Sequence, residues 1–143
     1  MKRRVMLVTA LLLLVGGASS VQAAGKPAAA VPRVTAYYFH TTQRCASCKK
    51  LEAWSHEAID SAFAAPLKDG RLVWKVVNVE SKGNEHFVED YGLYTKSLVL
   101  VRESSGKPAR WKNLEKIWPL LQDKKSFYKY VQDETRTMLA PGS

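Results

Sequence analysis

The sequence predicts one α/β domain in the order β-α-β-α-β-β-α, with a mixed four-stranded sheet and helices on both faces. Three observations predict it. Apolar, β-branched and aromatic runs at 34–39, 71–79 and 97–102 read as strands. Stretches with apolar residues at helical spacing lie between and after them. The only two cysteines, Cys45 and Cys48, stand where the first strand gives way to the first helical pattern.

The N-terminus is read apart from this domain. Lys2, Arg3 and Arg4 precede an apolar run from Val5 to Val15, and small residues then lead to Val21-Gln22-Ala23. That is the pattern of a secretory signal peptide over residues 1–23, with cleavage expected after Ala23 or Ala24. The apolar run is short for a membrane span, so the only membrane attachment expected is an uncleaved signal. Export places the rest of the chain in the periplasm or outside the cell, where disulfides persist. Residues 24–33 carry no core-forming pattern and read as a flexible linker. The domain is expected over 34–139, with a loose tail at 140–143.

Val34 to Phe39 opens the domain as a strand, and His40 to Arg44 is a polar loop. From Cys45 to about Ala65 no Gly or Pro interrupts. Leu51, Trp54, Ala58 and Ala62 recur at helical spacing, with Ile59 and Phe63 widening the face. Pro66 is expected to stop this helix. Arg71 to Val79 is apolar at both alternating sets of positions, which suits a central strand covered on both sides. A short helix is expected from about Ser81 to Gly92, where glycine suits the left-handed residue after a helix end. Ser97 to Arg102 is a strand, and Ser104 to Lys107 a hairpin connection. Pro108 to Lys112 is an edge strand, where a proline near the start is tolerated. Asn113 is a candidate cap for a helical turn ending near Pro119, and Asp123 caps a final helix carrying Phe127, Tyr130, Val131 and Met138.

The formal net charge is +9, of which three charges lie in the signal. The remaining positives are scattered, and no basic stripe interleaves with aromatics, so no nucleic-acid partner is expected. Two cysteines are too few for a disulfide scaffold, and the chain is long enough to build its own core. Their presence is better explained by chemistry than by stapling. At the first turn of a helix the Cys-x-x-Cys spacing brings two sulfurs within bonding reach. The first sulfur then meets unpaired N–H groups at the positive end of the helix dipole, which favours its thiolate. Arg44, Lys49 and Lys50 flank the pair and push the same way. The duller alternatives are an inert structural disulfide or buried reduced cysteines.

Element order and motif together resemble the thioredoxin-like superfamily over nearly the whole domain. More closely, Tyr37-Tyr38-Phe39-His40, Arg44 to Ala53, Leu93 to Val101 and Trp111-Lys112-Asn113-Leu114 resemble the nitrophenyl-compound nitroreductase subunit ArsF family of small bacterial thioredoxin-fold proteins. The resemblance implies that Cys45 is the attacking thiol and Cys48 the resolving thiol of a thiol–disulfide oxidoreductase. Three departures bear on that. Arg44 stands where thioredoxins have tryptophan, and Ala46-Ser47 where they have Gly-Pro; these positions tune reduction potential. The position of the superfamily's cis-proline falls near Lys96, which either holds a cation beside the thiolate or lies in solvent on a trans chain. The superfamily's buried acidic residue aligns with Phe39.

His40 is a candidate base, a candidate third soft-metal ligand or a simple strand cap. Candidate tuning residues are therefore His40, Arg44 and Lys96. No cofactor beyond the Cys45–Cys48 disulfide is expected; the alternative is Cu(I) held by Cys45, Cys48 and His40, since thiolates suit that ion. Four-ligand zinc would need two more ligands than the pair supplies. The expected partner is a protein dithiol or disulfide, or a larger reductase that this chain serves as an accessory subunit, and a monomer is expected. His56 and His86 read as solvated, Trp54 and Trp74 as core, and Trp111 and Trp118 as candidate partner contacts.

Overall fold

A computed structural model describes residues 32–141; the expected signal peptide, most of the linker and the last two residues lie outside them. The chain runs β1 (Arg33–His40), α1 (Ala46–Ala62), α2 (Ala64–Lys68), β2 (Leu72–Asn78), α3 (His86–Asp90), β3 (Ser97–Ser104), β4 (Lys107–Asn113) and α4 (Lys124–Leu139), with two 3₁₀ turns before α4. The four strands form one mixed sheet in the order β2-β1-β3-β4. β1 is parallel to β2 and antiparallel to β3, which pairs antiparallel with β4. The α/β architecture expected from the sequence is present, and its order and pairing are compatible with a thioredoxin-like fold.

Strand alternation divides the core in two. Val34, Ala36 and Tyr38 of β1 face α1 and α4, joining Leu51, Ile59, Phe127, Val131 and Met138. Phe39, with Val99 and Val101, faces the other way toward Phe87, Tyr91 and Leu93 in and after α3. β1 and β3 are buried on both faces, and so they are the central strands.

β2 is an edge strand, not the central one its apolarity suggested. Lys75 and Val76 are exposed in its middle. Its apolar residues find partial cover instead: Trp74 stacks on His56 with ring centroids 4.9 Å apart and lies 6.5 Å from Tyr38. Trp74 is therefore only half-buried, as is Trp54, over which Lys50 rests its ammonium at 4.3 Å. Both tryptophans pack against the core from its margin rather than lying fully inside it. His56 stays exposed and pairs with Asp60, and His86 pairs with Asp90.

Other boundaries shift for local reasons. The first helix ends at Ala62, ahead of the expected stop, because the Pro66 ring would collide with the carbonyl four residues back. Pro66 then sits in the first turn of α2, where its missing N–H costs nothing. Ala62 is exposed and Phe63, at the break, is buried. The helix expected from Ser81 shrinks to His86–Asp90, since Gly83 takes φ +91°, incompatible with a helix. Asn113 ends β4 and caps nothing; Leu114 precedes the 3₁₀ turn. Asp123 does cap α4, accepting from the Lys125 and Ser126 N–H groups. At the far end of α4, Arg102 of β3 donates to the carbonyls of Met138 and Ala140 at 3.1 and 2.6 Å, placing a cation where the helix dipole favours one.

The β3–β4 hairpin closes through Ser105 and Gly106, both at positive φ (52° and 75°). This two-residue geometry matches the twist of the strands but strains a serine. Replacing Ser105 by Asn, which tolerates the left-handed region, is expected to raise stability by about 0.5 kcal/mol in denaturant melts. An unchanged or lowered midpoint would contradict the strain.

Candidate functional site

The loop that delivers the cysteines is held from β2. The Thr42 N–H donates to Glu80 at 2.8 Å, and the Asn78 amide donates to Thr42 Oγ1 at 3.1 Å. Hydrogen bonds from Thr42, backbone first, keep the Glu80 carboxyl below the usual carboxylate range, with Lys96 and His40 adding positive charge. The chain therefore arrives at residue 45 from a fixed direction, and α1 begins there.

Cys45 is the N-cap of α1, in an extended conformation (φ −81°, ψ 166°). Its Sγ accepts the Cys48 N–H at 3.1 Å. Sulfur takes the place that a Ser or Asp oxygen usually fills at this position. Cys45 and Cys48 are joined in a disulfide, with Cα atoms 5.0 Å apart. The two cysteines differ in access: Cys45 is exposed, whereas Cys48 is 2% exposed under the first turn of the helix. Solvent therefore reaches Cys45 and scarcely reaches Cys48.

Beneath the turn lies a polar group that sequence reading missed. The Tyr38 hydroxyl, fully buried on β1, donates to the Cys48 carbonyl at 2.6 Å. Burial pushes the Tyr38 pKa far up, with Glu52 adding to the rise and Arg44 opposing it. Arg44 is ion-paired with Glu52, side chains 26% and 27% exposed, and its Nε is buried without a partner. Strand alternation signals the Tyr38 placement, because Val34, Ala36 and Tyr38 share the helix-facing side. Helical spacing signals Glu52, four residues after Cys48.

The flanking cations are committed elsewhere. Arg44 has Glu52 as counter-ion, and Lys50 Nζ donates to the Leu121 carbonyl at 3.0 Å. Lys49 is exposed, where salt screens it. The polarity acting on Cys45 thus comes chiefly from the backbone of α1.

His40 closes β1 with Nδ1 2.8 Å from the Thr41 carbonyl, the contact of a strand cap, and Nδ1 must carry the proton there. Its ring lines a cleft of about 470 Å³ with Phe39, Glu80, Val88 and Lys96. Lys96 is half-buried, neither free in solvent nor on a cis peptide; every peptide bond among the described residues is trans. Its carbonyl accepts the Trp118 indole N–H at 2.9 Å, which gives Trp118 a structural role. Tyr94, 87% exposed, separates this cleft from a second of about 270 Å³. Trp111 is 45% exposed on β4, its ring edge-on to Tyr91. Among the described residues no three His, Cys, Asp or Glu side chains come together in a way that could hold a metal ion, and no helix is long and apolar enough to cross a membrane.

No family model and no curated protein matches this chain.

Because the folded state holds the Tyr38 proton more tightly than the unfolded chain does, stability is full below pH 10 and drains away as pH rises beyond the ordinary tyrosine value of 10.0. Tyr38→Phe is expected to blunt that alkaline loss and to cost about 1 kcal/mol at neutral pH through the orphaned Cys48 carbonyl. Denaturant melts at neutral and alkaline pH check both effects. Identical alkaline slopes in the two proteins would remove Tyr38 from the account.

Proposed function

We propose that this protein is an exported thioredoxin-like protein that performs thiol–disulfide exchange through Cys45 and Cys48, within the nitroreductase-subunit ArsF family it resembles. The observation that carries this reading is the placement of Cys45: an exposed sulfur at a helix N-cap, accepting the Cys48 N–H, disulfide-bonded to a buried neighbour. A thiolate in that position is stabilised relative to a thiol, which is the requirement for a nucleophile near neutral pH. The signal-like N-terminus supports the periplasm or the cell exterior as its place of work.

In the oxidised state, a partner thiolate attacks the exposed Cys45 sulfur. The Cys45–Cys48 bond breaks and its electron pair leaves on Cys48, which takes up a proton. The partner's second thiol then attacks its own mixed-disulfide sulfur, and Cys45 departs as the thiolate that the helix end stabilises. The partner is now a disulfide, and this protein holds its two electrons as a dithiol. Run in reverse, Cys45 attacks a partner disulfide and Cys48 resolves the intermediate. The direction depends on the pair's reduction potential, which spans from about −270 mV to about −120 mV among related dithiols. Either an independent partner or a larger reductase fits this chemistry.

The roles separate in single variants. Reduced Cys48→Ser protein, mixed with a disulfide-bonded model protein, is expected to accumulate a covalent complex that dithiothreitol releases. Cys45→Ser is expected to form none. A Cys45→Ser protein that exchanged as fast as the parent would refute the assignment.

A further inference from the structure

The cleft lined by His40 and Lys96 includes neither cysteine. Its walls come from the ends of β1 and β2, from α3 and from the segment leading into β3. At about 470 Å³ it falls within the range of about 300–1,000 Å³ that small-molecule sites occupy. Phe39, Val79, Val88 and Leu93 give it an apolar surface, and Tyr94 stands at its border with the second cleft.

A lysine, a histidine and two glutamates share these walls: Lys96, His40, Glu80 and Glu85. Lys96 is half-buried, and among the described residues its Nζ makes no ion pair or hydrogen bond. Its charge acts on the Glu80 carboxylate, yet the two do not meet. Glu80 is tied instead to the Thr42 N–H at 2.8 Å, and the Lys96 carbonyl accepts the Trp118 indole N–H. Glu85 accepts the Gly83 N–H at 2.7 Å. Because the His40 Nδ1 donates to the Thr41 carbonyl, its Nε2 remains as an acceptor. The cleft therefore holds a cation and a carboxylate that leave a gap open between them. A simple anion would satisfy Lys96 but meet two carboxylates, and a simple amine would satisfy Glu80 but bring a like charge toward Lys96. A zwitterion with an apolar group fits all of these features at once.

We propose that this cleft binds a free α-amino acid with an apolar side chain. The Lys96 ammonium pairs with its carboxylate. Its own ammonium donates to Glu80 and to the His40 Nε2. Its side chain covers Phe39, Val79, Val88 and Leu93, which removes apolar surface from water. An α-amino acid carries both charges on one carbon, so a single small cleft can satisfy them together. The proposal stands apart from the exchange reading, because the site needs neither cysteine and binding is read on the disulfide form.

Amide chemical-shift titration of the oxidised full chain with L-leucine tests this. Three controls accompany it: leucinamide lacks the carboxylate, N-acetylleucine lacks the ammonium, and glycine lacks the side chain. Leucine is expected to saturate with a Kd below about 1 mM, shifting residues 39–41, 79–85 and 93–96. Each control is expected to bind at least about tenfold more weakly. Lys96→Gln should lower the leucine affinity to that of leucinamide and leave leucinamide unchanged. Glu80→Gln keeps an oxygen for the Thr42 N–H; it should weaken leucine and leucinamide alike and leave N-acetylleucine unchanged. Saturation at other residues, or none at all, would overturn the proposal. So would leucine binding no tighter than its two capped forms. An equal loss of every ligand in Lys96→Gln would assign that lysine to the fold alone and would overturn it too.

Discussion

The structure turns on one short contact, the Cys48 N–H pointing at the sulfur of Cys45. A helix must begin with N–H groups that have no partner inside it. Here the first such groups begin just beyond a cysteine whose extended backbone turns its sulfur toward them. The same geometry that starts α1 makes one sulfur polarised and reachable and tucks the other beneath the turn. Other polar groups mostly serve to hold that start in place: Glu80 and Asn78 fix the incoming loop, and Tyr38 fixes the Cys48 carbonyl from below.

Packing decides how firmly this is held. β1 carries the loop and is buried on both faces, so it cannot shift without opening both halves of the core. Burying a large side chain such as Tyr38, Phe39 or Leu51 contributes about 1.5–3 kcal/mol. Exposed ion pairs such as Lys129 with Asp133 are screened by solvent and contribute little. The apolar contacts therefore outweigh the surface charges in fixing where the motif sits. Arg44 and Glu52 occupy the ground between, partly buried and mutually compensating.

Much of this was legible in the sequence because it depends on local pattern. The strand runs, the N-cap Asp123 and the Cys-x-x-Cys spacing are short-range features with direct physical consequences. β2 was misplaced because its apolar residues look alike whether they bury fully or merely stack, as Trp74 does on His56. Lys75 carried the contrary signal, since a lysine in mid-strand needs access to solvent. The ends of α1 and α3 were set by a proline clash and by a glycine at positive φ, neither visible from periodicity alone. The cysteine pair and Arg44 stand out from the sequence, whereas His40 and Lys96 line a cleft whose walls do not include the cysteines. The partners of these residues do not stand out, because the Arg44–Glu52 pair and the Glu80 cluster depend on side chains that converge only after folding.

The account stands on an inequality between two thiols that are three residues apart. Reduced protein can be alkylated with iodoacetamide across a range of pH and the two cysteines read separately by peptide mass spectrometry. The account predicts that Cys45 reacts at least about tenfold faster than Cys48 at neutral pH, with a titration midpoint below the free-cysteine value of about 8.5. Equal rates, or a Cys45 midpoint at or above that value, would contradict it.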